Sequence, residues 1–71
     1  MTARETVESF GWWVYKSCSC GGVFTLKCKH PNKPSVEIWL RPNRNQWLHK
    51  LNGRLQEQGI IESLKQKLEK L

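Results

Sequence analysis

The chain has 71 residues and a formal net charge of +6, from 12 lysines and arginines against 6 acidic residues. This length permits one domain, and the basic balance predicts polyanionic partners. Because the chain has no long apolar run and its start lacks the apolar stretch of a signal peptide, we expect neither a membrane span nor export. The odd number of cysteines, 3, then indicates a reducing compartment, and we expect a cytoplasmic protein.

The first half of the chain predicts strands. Residues 1–9 are polar and charged and are expected to form a flexible leader or a short helical turn, ahead of a single small domain over residues 10–71. Apolar and alternating patterns then predict strands over residues 11–17, 22–29 and 35–41. A proline-containing turn separates the last two strands. Together these segments predict a three-stranded antiparallel meander.

From Pro42 onwards the composition favours helices. Asn43 is a good N-cap, and helix-forming residues dominate up to Gln58, so we expect one helix over residues 44–58 and a second over residues 60–70. The second helix carries an apolar stripe that should pack on the sheet, formed by Ile61, Leu64, Leu68 and Leu71. The predicted fold class is therefore α+β, a small three-stranded antiparallel meander followed by two C-terminal helices. The alternative is a five-strand meander plus one helix, because Asn52-Gly53 is a favoured two-residue hairpin turn.

The cysteines and one histidine stand close together, as Cys18-Ser19-Cys20 and Cys28-Lys29-His30. Three thiolates and an imidazole form a set that Zn²⁺ accepts tetrahedrally. Over residues 12–30 this pattern resembles the SWIM-type zinc finger, a family of short modules with paired C-x-C and C-x-H ligands. The resemblance implies that Cys18, Cys20, Cys28 and His30 bind Zn²⁺ and that the module binds nucleic acid or protein. The chain departs from the family after His30, where prolines replace a helix.

The register of the first two strands decides whether these four residues meet. A tight turn at Gly21-Gly22 pairs the strands so that Cys28 falls opposite Trp13, too far from Cys18 for a shared metal ion. Zinc binding instead requires a turn near Val23-Phe24-Thr25 or an open loop, although this segment favours a strand. Two alternatives to zinc remain: three reduced cysteines that act as small apolar residues, and a disulfide.

Basic and aromatic residues are interleaved through the middle of the chain, where Glu37 is the only acidic residue between Ser9 and Glu57. Cations neutralise phosphates, and tryptophan can stack on unpaired bases. The sequence therefore predicts a nucleic-acid site formed by Lys27, Lys29, Lys33, Trp39, Arg41 and Arg44.

The expected function is that of a small basic binding module, stabilised by zinc if the four ligands bind it. We expect no enzyme, because the chain has no poised acid–base cluster and no glycine-rich phosphate loop. Nucleic acid is the favoured partner. The alternative is a structural or accessory protein-interaction subunit of a larger assembly, such as a mobile-element or phage particle, held by the apolar first strand and the leucine-rich helix.

Overall fold

The computed structural model describes residues 2–71, apart from the side chain of Cys20. Five antiparallel strands form one sheet in the order of the chain, and a short helix precedes and follows them. The elements are α1 (Ala3–Ser9), β1 (Trp13–Cys20), β2 (Val23–His30), β3 (Lys33–Arg41), β4 (Gln46–Leu51), β5 (Arg54–Ile60) and α2 (Leu64–Lys70). Two 3₁₀ turns, Pro42–Arg44 and Ile61–Ser63, precede β4 and α2. No helix in the described part of the chain is both long and apolar enough to cross a membrane.

The prediction of three strands followed by two helices is wrong, because the segment predicted as a helix over residues 44–58 forms β4 and β5. The turn between them is Asn52-Gly53, with φ of 52° and 80°. Both residues occupy the left-handed region that a type I′ hairpin turn requires and that asparagine and glycine tolerate best. The five-strand meander, given as the alternative, is the sheet that the structure contains, with an additional N-terminal helix.

Pairing with β3 explains why this segment is not helical. Trp47 lies opposite Leu40, and Leu48 lies opposite Trp39, so these consecutive residues point to opposite faces of the sheet. Both are buried, Trp47 at 4% and Leu48 at 6% exposure. In a helix these neighbouring residues could not both be buried on opposite sides of the segment, whereas the strand buries each against a different partner. The free energy gained from this burial outweighs the helix propensity of the segment.

Within residues 1–9, the predicted flexible leader or short helical turn, the structure has helix α1 over Ala3–Ser9. Thr2 and Glu5 form a capping box at its start: the Thr2 hydroxyl accepts from the Glu5 backbone N–H, and the Glu5 carboxylate accepts from the Thr2 backbone N–H. This arrangement satisfies two N–H groups that a helix start leaves free. The helix then buries Val7 completely in the core.

The core lies between one face of the sheet and the two helices, and we call this the core face. Strands β2, β3 and β4 contribute alternate residues to it, and α2 adds Leu64 and Leu68, which are 1% and 5% exposed. Ile61 and Leu71 pack against the same cluster, which confirms the predicted packing of the leucine stripe on the sheet. The opposite face of the sheet carries none of the described helices, and we call it the open face.

Candidate functional site

The open face collects charged and aromatic side chains because successive strand residues point to opposite sides of a sheet. The register places Lys27 opposite Trp39, and it places Lys29 and Lys50 on either side of Glu37. Tyr15, at an irregularity in β1, joins them through a hydrogen bond to Glu37. The charged and aromatic residues at the centre of the open face are therefore Tyr15, Lys27, Lys29, Glu37, Trp39, Arg41 and Lys50.

Trp39 occupies the middle of this surface, between two lysines. The Nζ atom of Lys27 lies 4.3 Å from the centroid of the indole ring, and that of Lys50 lies 3.7 Å from it. Both distances are within the range of cation–π attraction. A second pair repeats the arrangement nearby, with the Nζ atom of Lys29 4.7 Å from the centroid of the Tyr15 ring. The face thus combines flat aromatic groups with positive charges directly beside them.

Glu37 connects the two aromatic residues. Its Oε1 atom accepts a hydrogen bond from Trp39 Nε1 at 2.9 Å and another from the Tyr15 hydroxyl. Burial acts to raise the pKa of Glu37, but these hydrogen bonds and the charges of Lys29 and Lys27 outweigh burial and lower it. Burial raises the pKa of Tyr15, and the Glu37 hydrogen bond and charge raise it further, to about 12. Near neutral pH Glu37 is therefore an ionised acceptor and Tyr15 a neutral donor.

A recess of about 450 Å³ lies beside Trp39, and we call it the basic recess. Its walls are Cys18, Val23, Thr25, Lys27, Trp39, Arg41 and Arg44. Three of these residues are cationic, and no carboxylate lines it. The Nε atom of Arg41 is buried and has no hydrogen-bond partner among the described residues. A recess of this composition is suited to an anion, because guanidinium groups bind phosphate oxygens with charge-assisted hydrogen bonds.

The structure brings five of the six predicted nucleic-acid-binding residues together. Lys27, Lys29, Trp39 and Arg41 lie on the open face, and Arg44, in the 3₁₀ turn after β3, lines the basic recess. Lys33 stands apart, at the start of β3 opposite His30.

Sequence reasoning did not select Tyr15 or Lys50 for this site. Lys50 lies in the helix predicted over residues 44–58, and only the Asn52-Gly53 hairpin signal places it in a strand, opposite Glu37. The irregularity in β1 that brings Tyr15 to the open face has no clear signal in the sequence.

The structure does not bring the described side chains of the predicted zinc ligands together. Cys18 lies opposite Thr25, whereas Cys28 lies opposite Val14, one residue from the predicted partner Trp13, and is fully buried on the core face. Burial raises the pKa of Cys28 to about 12, so its thiol is protonated, whereas zinc binds the thiolate.

The other two predicted ligands also lie in strand pairs. His30 packs edge-on against Trp12, with ring centroids 5.2 Å apart, and its Nδ1 atom accepts from the Asn32 backbone N–H. The backbone of Cys20 pairs with Val23, and its side chain is not described. Within the described part of the chain no group of three His, Cys, Asp or Glu residues is placed to hold a metal ion. Zinc binding stays a prediction of the sequence.

The open face and its basic recess are therefore the candidate site. They hold four cations, two aromatic rings and one ionised carboxylate in the centre of a sheet face, with a fifth cation, Arg44, at the recess. No protein-family model, no curated protein and no solved structure matches the chain. Its function has to be inferred from these side chains.

Proposed function

We propose that the protein is a non-enzymatic module that binds single-stranded nucleic acid on its open face, in the cytoplasm. One observation carries this proposal: Trp39 stands in the centre of a sheet face between two lysine ammonium groups, beside a recess lined by three cations. Proteins that bind single strands combine a positively charged surface for the backbone with aromatic side chains on which bases stack. The open face offers both in one place.

Binding in this mode exchanges one set of contacts for another. A base that stacks on Trp39 displaces a lysine from the indole ring, and the freed ammonium group then meets a neighbouring phosphate. Each phosphate neutralised in this way releases counterions, which favours binding most at low salt. A duplex is a poor ligand, because its bases are already stacked on one another and do not expose a free π-face.

A second candidate function is protein interaction at the other end of the sheet. Strand β5 has one edge that pairs with no other strand in the described part of the chain, and it exposes Leu55 at 48% and Ile60 at 57%. Exposed apolar residues on a strand edge favour pairing with another chain. The two functions differ in salt dependence, since apolar contacts survive an ionic strength that screens phosphate contacts.

The first test measures fluorescence anisotropy of labelled single strands and duplexes as salt is raised. The triple variant Lys27→Gln/Lys29→Gln/Arg41→Gln should bind all single-stranded sequences more weakly and with a shallower salt slope. The matched control, Arg4→Gln/Lys65→Gln/Lys70→Gln, removes the same charge from the two helices on the other side of the sheet. A site on the open face predicts a much smaller loss for the control, whereas equal losses would mean that net charge alone drives binding.

The second test replaces the stacking residue. Trp39→Ala should cost about 1–3 kcal/mol on single strands and much less on duplexes, with circular dichroism confirming that the variant is folded. A wild-type protein that binds neither single strands nor duplexes even at low salt would exclude the nucleic-acid function and leave the protein-interaction candidate.

A further inference from the structure

Strand β3 places three different chemical groups in a row on the open face. Glu37, Trp39 and Arg41 are each two residues apart, which corresponds to about 7 Å along a strand. They offer, in order, a carboxylate, an aromatic face and a guanidinium group at the basic recess. A nucleotide presents the matching groups in the same order: the donors on the edge of its base, the face of the base, and the phosphate.

The carboxylate of Glu37 is only partly used by the protein. Both of its hydrogen bonds, from Trp39 and Tyr15, go to Oε1, and among residues 2–71 none is made to Oε2. The group is ionised and lies beside the ring on which a base would stack. Its second oxygen, Oε2, is therefore an acceptor with two lone-pair sites at the position where the edge of a stacked base would lie.

The four bases differ in what they offer to such an acceptor. Guanine carries two adjacent donors on its Watson–Crick edge, N1–H and the N2 amino group. Adenine and cytosine each place one amino donor beside a ring nitrogen that is itself an acceptor, and uracil and thymine place one N–H between two carbonyl oxygens. An ionised carboxylate attracts donors and repels acceptors, so guanine fits it best.

We infer that Glu37 makes the open face selective for guanine within single strands. The guanine stacks on Trp39, its Watson–Crick edge donates to the Glu37 carboxylate, and the attached phosphate lies in the basic recess against Arg41. This inference rests on the proposed function and adds a base preference to it. Glu37 is then the specificity-determining residue of a surface that otherwise binds any single strand.

The test compares nine-nucleotide thymine strands that carry one central guanine, inosine, adenine, cytosine or thymine. The wild-type protein should bind the guanine strand at least about fivefold more tightly than the all-thymine strand, the lower end of the discrimination that a good base-edge pair provides. Inosine lacks the N2 amino group and should lose most of that advantage. This comparison uses the unaltered protein, so it does not depend on any variant folding.

Three variants test whether the preference depends on the Glu37 carboxylate. Glu37→Gln replaces one acceptor oxygen with a donor and should abolish the preference while leaving binding to the all-thymine strand equal or tighter, because a negative charge is removed. Tyr15→Phe removes one hydrogen bond to Oε1 but keeps the carboxylate, so the guanine preference should persist. Glu57→Gln removes a carboxylate from the core-face side, where Glu57 pairs with Lys67, and should change neither value.

The outcomes separate the inference from the proposed function. Equal affinity for the guanine and thymine strands, or a preference that survives Glu37→Gln, would overturn the inference while the open face remained a single-strand site. Absence of binding to every strand would overturn both.

Discussion

Replacing Gly59 with alanine tests how β5 packs against Trp47. Gly59 lies directly opposite Trp47 in the β4–β5 pair. A Cβ atom at Gly59 would lie 2.7 Å from Cζ2 and 2.9 Å from Cε2 of the Trp47 ring, closer than real Cβ contacts allow. The ring has little freedom to move away. It is 4% exposed, and its Nε1 atom donates to Ser63 Oγ at 3.0 Å, while that hydroxyl donates to the Ile60 carbonyl at 2.8 Å.

The expected cost follows from these contacts. Inserting a methyl group into a packed site costs typically about 1–3 kcal/mol, and displacing the ring also weakens the hydrogen bond to Ser63, worth about 1 kcal/mol. Alanine lowers the conformational entropy of the unfolded chain relative to glycine, which offsets up to about 1 kcal/mol of this destabilisation. We therefore expect Gly59→Ala to lower the free energy of unfolding by about 1–3 kcal/mol. For a domain of this size, each kcal/mol lowers the melting temperature by about 4–8 °C.

Urea unfolding followed by tryptophan fluorescence measures this change. Gln56→Ala, an exposed position in the same strand, serves as the matched control and should stay within about 0.5 kcal/mol of the wild type. A double-mutant cycle with Trp47→Phe isolates the clash, because a smaller ring should relieve part of the cost of the alanine. A Gly59→Ala protein as stable as the wild type, or a cycle with no coupling, would refute the packing described for Trp47.

Two further predictions concern the open face and the cysteines. Tyr15 is the only tyrosine, so absorbance at alkaline pH should show it ionising near the raised pKa of about 12; the contribution of Tyr15 to the free energy of unfolding should be complete below the unfolded pKa of about 10 and should be lost as the pH rises through 12. A folded protein whose tyrosine ionises at about pH 10 would contradict this. The zinc prediction is checked by native mass spectrometry of the reduced protein. One bound equivalent that Cys28→Ser removes would support it and would require a β1–β2 register other than the one described, whereas a folded metal-free chain would contradict it.

The first three strands could be predicted from the sequence because their information is local. Residues 22–29 and 35–41 alternate apolar and polar side chains, and the observed strands, Val23–His30 and Lys33–Arg41, bury the apolar residues Leu26, Cys28, Ile38 and Leu40. The Gly21-Gly22 turn takes positive φ at both residues, as a tight hairpin requires.

The fourth and fifth strands could not be predicted with the same reasoning, because they depend on non-local pairing. The segment Gln46–Gln58 is rich in residues that favour helices in isolation. Two features determine its structure. One is pairing with β3, above all Leu40 opposite Trp47, and the other is the left-handed Asn52-Gly53 turn. Of these two determinants only the turn is visible in the sequence, where the helix-forming composition of thirteen residues is the stronger signal.

The candidate site is also predictable from the sequence only in part, because it too depends on non-local pairing. Glu37 is the example, since its role does not follow from its charge alone. In the sequence Glu37 only interrupts a basic run, and its charge alone predicts that removing it improves a surface for polyanions. In the structure its carboxylate holds the Trp39 indole and the Tyr15 hydroxyl while Lys27 and Lys29 keep it ionised. Glu37 therefore has two opposing effects on binding affinity. It repels phosphates, an effect that salt screens, and it orients two aromatic rings, an effect that does not depend on salt. Glu37 also places an acceptor, Oε2, at the edge of a stacked base, and that is why Glu37 rather than any lysine is the residue we expect to set the choice of ligand.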